Sequence, residues 1–108
     1  MKLLLVALLA SGLHGTVMRG PTMPVCMVDL PCTEPAAGAL LVFARRDRVA
    51  ARVRTDARGR YRVSLAPGLY TVKLPGAPRI GRGLEPRQVR VPRDRIGRVD
   101  FMIDTGIR

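Results

Sequence analysis

From residue 13 onward, apolar and polar positions alternate with a period of two in short runs. Nine Pro and eleven Gly punctuate these runs every eight to twelve residues, and no segment carries a helical repeat. That combination predicts an all-β sandwich or barrel. Leu13–Arg19 is the first strand, with Leu13, Gly15 and Val17 on one face and His14, Thr16 and Met18 on the other. Residues 21–35 carry four prolines and both cysteines and read as a loop. Ala39–Ala44 is apolar on both faces, which suits a strand covered on both sides. Arg48–Thr55 places Val49, Ala51, Val53 and Thr55 on one face and Arg48, Ala50, Arg52 and Arg54 on the other. Asp56-Ala57-Arg58-Gly59 has turn chemistry, and Arg60–Leu65 then turns Tyr61, Val63 and Leu65 inward. These two runs are expected to form a hairpin. Pro67-Gly68 turns the chain into Leu69–Leu74, which buries Tyr70, Val72 and Leu74. After a Gly/Pro/Arg loop over 75–86 come Gln88–Val91 and Gly97–Ile103, the last with Val99, Phe101 and Ile103 inward. The expectation is seven antiparallel strands in two packed sheets.

Length adds that this is one domain, since 108 residues support a single hydrophobic core. Apolar residues make up 47% of the chain, too many for a disordered one. The net charge is +11, and 17 of the 19 basic residues are Arg. Such a skew matches a GC-rich coding sequence as well as it matches a polyanion-binding face. The excess is local: residues 41–75 carry nine basic and two acidic side chains, whereas residues 1–40 carry two of each. With no Trp, two Tyr and two Phe, there is little aromatic surface for stacking bases, so nucleic acid is a poor candidate partner.

Cys26 and Cys32 have five residues between them. The spacing is too wide for a redox C-x-x-C, and two Cys without a nearby His cannot complete a zinc site. A disulfide closing a small loop in an oxidising compartment is the simplest assignment. The N-terminus agrees with export: Met1-Lys2, the short apolar run Leu3–Ala10 and the small residues Ala10, Ser11 and Gly12 resemble a signal peptide. Residues 1–12 are therefore assigned to a signal peptide and 13–108 to the domain. The apolar run is too short to span a bilayer.

The stretch Thr55-Asp56-Ala57-Arg58-Gly59-Arg60-Tyr61-Arg62-Val63-Ser64-Leu65-Ala66-Pro67-Gly68-Leu69-Tyr70-Thr71-Val72 resembles the T-D-x-x-G-x-Y/F…P-G-x-Y signature of carboxypeptidase regulatory-like domains. Collagen-adhesin B-type repeats share it, within the prealbumin-like group. Gly15-Thr16-Val17 resembles the family's opening G-x-V strand, and Pro35-Ala36-Ala37-Gly38-Ala39 with Leu40–Phe43 resembles its second strand. The likeness covers roughly residues 13–103 and implies a seven-stranded antiparallel Greek-key sandwich of prealbumin-like, Ig-like type. It implies no activity. The transthyretin-like hydrolase branch calls for more than one His, whereas this chain has only His14. Intramolecular Lys–Asn crosslinks need Asn, which the sequence lacks.

No nucleophile, base and orienting group can be assembled here, and no metal or cofactor set is readable. Tyr61 and Tyr70 read as core anchors, and Asp56 and Asp100 have turn and solvent-face explanations. The remaining candidate is cationic. If the 48–55 and 60–65 runs form one hairpin, Arg48, Arg52, Arg54, Arg60 and Arg62 share one sheet face, a candidate anion-binding surface. The expected protein is a non-catalytic secreted or cell-envelope module, with an anionic envelope polymer or an acidic protein as partner. The alternatives are a small transthyretin-type hydrolase and a cytosolic polyanion (nucleic-acid) binding domain. Oligomeric state is not legible in the sequence.

Overall fold

A computed structural model describes residues 11–26, 32–75 and 83–105. The export segment Leu3–Ala10 and the centre of the 75–86 loop lie outside the described residues. The described chain is all-β, with ten strands: β1 Gly12–Gly20, β2 Glu34–Pro35, β3 Leu40–Arg45, β4 Arg48–Arg54, β5 Arg60–Ser64, β6 Gly68–Lys73, β7 Leu84–Glu85, β8 Gln88–Val91, β9 Ile96–Arg98 and β10 Phe101–Asp104. They form two sheets. Sheet I is built around β1, flanked by β5 and β2 in antiparallel pairs and by β9 and β10 in parallel ones, with β7 beyond β10. Sheet II runs β4-β3-β6-β8, antiparallel throughout.

The alternating positions meet in one core. Leu13, Val17, Tyr61, Val63 and Phe101 from sheet I pack with Leu41, Phe43, Tyr70, Val72 and Val89 from sheet II. At its centre Phe43 and Phe101 stand edge to face, ring centroids 6.4 Å apart, and Tyr61 lies 5.6 Å from Phe101. Such pairs add about 1 kcal/mol each beyond area burial. Both tyrosines keep their hydroxyls bonded: Tyr61 donates to the Val99 carbonyl at 2.6 Å, and Tyr70 donates back to Ala66 at 2.7 Å. The sheet also begins one residue before the boundary read from the sequence. Ser11 is buried, with its Oγ donating to the Leu65 carbonyl at 2.6 Å, and Gly12 pairs with Ser64 and Ile96. Cys26 and Cys32 are joined in a disulfide.

Four expectations change. The pairing is not wholly antiparallel, because β1 runs parallel to β9 and β10. The final strand is two strands, because Val99 and Asp100 break the ladder. Val99 N donates to His14 O, and Asp100 Oδ1 then takes the Thr16 amide at 2.9 Å in place of a carbonyl. A Cβ on Gly15 would collide with the Val99 carbonyl oxygen, so this close crossing requires glycine.

The expected hairpin between β4 and β5 does not form: β4 pairs with β3, and β5 pairs with β1. The cause is the Asp56–Gly59 turn. Asp56 Oδ1 accepts the amides of Arg58 and Arg60, both at 2.9 Å, and Gly59 takes a positive φ of 77°. Gly59 then offers its carbonyl to Val17 N at 2.7 Å, docking the turn on β1, so the chain leaving it joins the opposite sheet. Thr55 locks the other side. Its buried Oγ1 accepts the Ala39 amide at 2.8 Å and donates to the Ala36 carbonyl.

Finally, β4 carries a bulge. Phe43 pairs with Ala51 but Ala44 pairs with Val49, which leaves Ala50 unmatched. One extra residue reverses the facing of everything before it. Val49 accordingly leaves the core side and is 47% exposed.

Candidate functional site

The five arginines expected on one face occupy three places. Arg52 and Arg54 stand on the outer face of sheet II. Arg54 is opposite Leu40, and Arg52 is opposite Val42, which in turn is opposite Lys73 on β6. Strands lie about 4.8 Å apart and alternate residues about 7 Å apart. The three cations therefore mark a triangle with sides of about 7–12 Å on this face. Arg54 Nη1 also donates to the Gly38 carbonyl at 3.0 Å. The next row, Val49–Ala44–Thr71–Gln88, is uncharged, and none of these paired rows contains Asp or Glu.

Arg60 and Arg62 belong to the outer face of sheet I, across the molecule. Arg62, His14 and Arg98 form one row over β5, β1 and β9. Here carboxylates answer the guanidinium groups: Asp56 Oδ2 lies 3.3 Å from Arg60 Nε, and Asp100 Oδ2 lies 3.3 Å from Arg98 Nε. His14, the sole histidine, is thus opposed by two cations rather than by a nucleophile. Arg48 leaves the side of β4 that carries Arg52 and Arg54. The Ala50 bulge turns it toward Arg45, its partner at the end of the β3–β4 hairpin, with Arg46 and Asp47 as the turn. Arg45 itself is engaged, its guanidinium 5.7 Å above the Tyr70 ring.

The two carboxylates of sheet I are poised by the backbone. The Arg60 amide is the main influence that holds Asp56 below the usual carboxylate range, against desolvation and with help from the Arg58 amide and then the Arg60 charge. The Thr16 amide does the same for Asp100, against desolvation and with help from Arg98 and then His14. Burial, then the Asp100 charge, pushes the Tyr61 phenol up. For a carboxylate with a lowered native pKa, the stabilisation is present above the unfolded value of about 4 and fades as pH falls through the native value. Thermal unfolding between pH 7 and pH 2 is therefore expected to show a loss below about pH 4 that is shallower in an Asp56→Asn/Asp100→Asn variant. An unchanged acid limb would contradict this account.

Among the described residues no three His, Cys, Asp or Glu side chains come together as a metal site would need, and no helix is long and apolar enough to cross a membrane. Lys73 was within reach of the sequence pattern, since Tyr70 and Val72 inward put Lys73 outward. Its position beside Arg52 needs the β4-β3-β6 order, which the pattern does not encode. Comparison with protein-family models, curated proteins and solved structures returns no match.

Proposed function

We propose that this chain is a non-catalytic binding module of the cell envelope or the secreted space. It binds an anionic envelope polymer, or an acidic protein, through the outer face of sheet II. One observation carries the proposal: Arg52, Arg54 and Lys73 share that face, and no carboxylate stands in the rows around them. The arginines of sheet I are largely matched by Asp56 and Asp100, so the two faces differ in free charge rather than in arginine content. A flat cationic face with exposed hydrophobes at Val49 and Leu69 suits a repeating anion better than a small enclosed substrate.

The prealbumin-like, carboxypeptidase regulatory-like reading supports a module of this kind. Taking β9 and β10 as one interrupted strand, and β2 and β7 as two-residue additions, leaves seven strands, the number which that reading expects. The signature residues have structural work to do: Thr55, Asp56 and Gly59 make the crossing between sheets, and Tyr70 closes onto Ala66. The Cys26–Cys32 disulfide supports an oxidising compartment.

Salt elution from an immobilised anionic polymer tests the proposal on protein recovered from its native compartment. Arg52→Gln/Arg54→Gln/Lys73→Gln is expected to elute at lower salt than Arg58→Gln/Arg60→Gln/Arg62→Gln, which removes the same charge. Its log–log salt slope should be shallower than wild type by about two to three units. Equal elution of the two variants would overturn the assignment to sheet II. Free thiols in that material, with Met1 still in place, would end the secretory part.

A further inference from the structure

A small groove away from Arg52, Arg54 and Lys73 gathers three arginines and no other charged side chain. It opens between the two sheets where the chain crosses from β8 to β9, and its volume is about 260 Å³. Arg90 on β8, Arg95 on the crossover and Arg98 on β9 line it, with Pro92, Gly97 and Val99 as its less polar walls. β8 is the edge of sheet II, and β9 pairs only with β1, so nothing in either sheet covers the opening.

The crossover has a definite shape. Pro92 seats on Gly97, where an added Cβ would lie 2.9 Å from the proline Cδ. Asp94 turns the chain with a φ of 60°. Together they bring three guanidinium groups from three separate chain positions to one small groove, against their mutual repulsion. Arg90 and Arg95 have no ion pair or hydrogen bond among the described residues. Arg98 spends its Nε on Asp100 Oδ2 at 3.3 Å, and its two terminal amino groups carry no other bond there. The nearby acids do not line the groove: Asp100 is committed to Thr16 and Arg98, and Asp94 is exposed on the crossover.

We propose that this groove binds one dianionic, phosphate-type oxyanion, separately from the Arg52, Arg54 and Lys73 cluster. Planar guanidinium forks donate in parallel pairs, and a phosphate group offers two charges and three acceptor oxygens to three such forks. A carboxylate offers half the charge and only two oxygens. The groove is open to solvent, so the phosphate can be free or the monoester end of a larger molecule.

Amide shifts of Arg95, Gly97 and Arg98 report binding when inorganic phosphate, phenyl phosphate and acetate are titrated at constant ionic strength set with chloride. Phosphate should saturate the shifts, and acetate should not. Phenyl phosphate binding as tightly as inorganic phosphate assigns the site to monoesters, and weaker binding assigns it to the free ion. Arg95→Gln should weaken phosphate about tenfold, the loss of one charge-assisted contact, with an unchanged Tm. Arg52→Gln should leave it unaltered, which separates this site from that cluster. Shifts that stay linear in phosphate, saturation by acetate, or equal weakening by Arg52→Gln would overturn the proposal.

Discussion

Gly15→Ala is expected to destabilise the protein by at least about 3 kcal/mol, the range reserved for backbone collisions and broken buried networks. The new methyl group would overlap the Val99 carbonyl oxygen and come within 2.9 Å of Asp100 Oδ1. Neither neighbour can yield cheaply. The Val99 carbonyl receives the Tyr61 hydroxyl, its amide is held by His14, and Asp100 holds the Thr16 amide. Moving that stretch of chain breaks all three bonds at the junction of β1, β9 and β10. Gly38→Ala is the fitting comparison, since Gly38 has a positive φ of 67°, which Gly15 lacks, but an added Cβ there meets nothing within 4 Å. Its cost should be about 1 kcal/mol, the left-handed penalty alone. Urea denaturation of both variants decides the matter, and similar midpoints would mean that the Gly15 crossing is not a tight one.

Phe101→Ala is expected to cost about 3–5 kcal/mol, the usual loss for a deeply buried ring. Phe101 is 2% exposed and touches both Tyr61 of its own sheet and Phe43 of the other. Removing it opens a void between the layers and withdraws two aromatic pairings at once. Domains of this size hold about 5–15 kcal/mol in total, so the variant should lie near the limit of folding. Phe101→Leu should recover more than half of the loss, because most of the volume returns while the ring geometry does not. Chemical denaturation at a single temperature measures both, and a loss below about 1 kcal/mol for the alanine variant would place Phe101 outside the structural centre.

How much of this was readable in advance depended on the range of the contacts involved. Strand positions follow from local alternation, so β1, β3, β5, β6 and β8 fall where the sequence pattern puts them, as do the inward Leu13, Val17, Tyr61, Val63, Tyr70 and Val72. Partner choice is not local. Residues 48–54 and 60–64 look like hairpin arms because their connection carries turn residues, yet the bond from Val17 to Gly59 spans 42 positions and redirects the second arm. The bulge was equally hidden, since an extra Ala at position 50 leaves an unbroken apolar–polar rhythm while reversing Arg48 and Val49. The charged surface therefore had to be rebuilt from strand order. Two of the five expected arginines remain on the sheet II face, and Lys73 joins them.

The same irregular residue has a consequence for how the molecule behaves in company. β4 is an outer margin of its sheet, the kind of border onto which a stranger's extended segment can zip. Unmatched Ala50 interrupts the even spacing of main-chain donors and acceptors along that border, and Arg52 and Arg54 beyond it repel an identical copy. A kink worth little to the folded monomer thus guards against fibre growth along this side at the high concentrations of a crowded compartment.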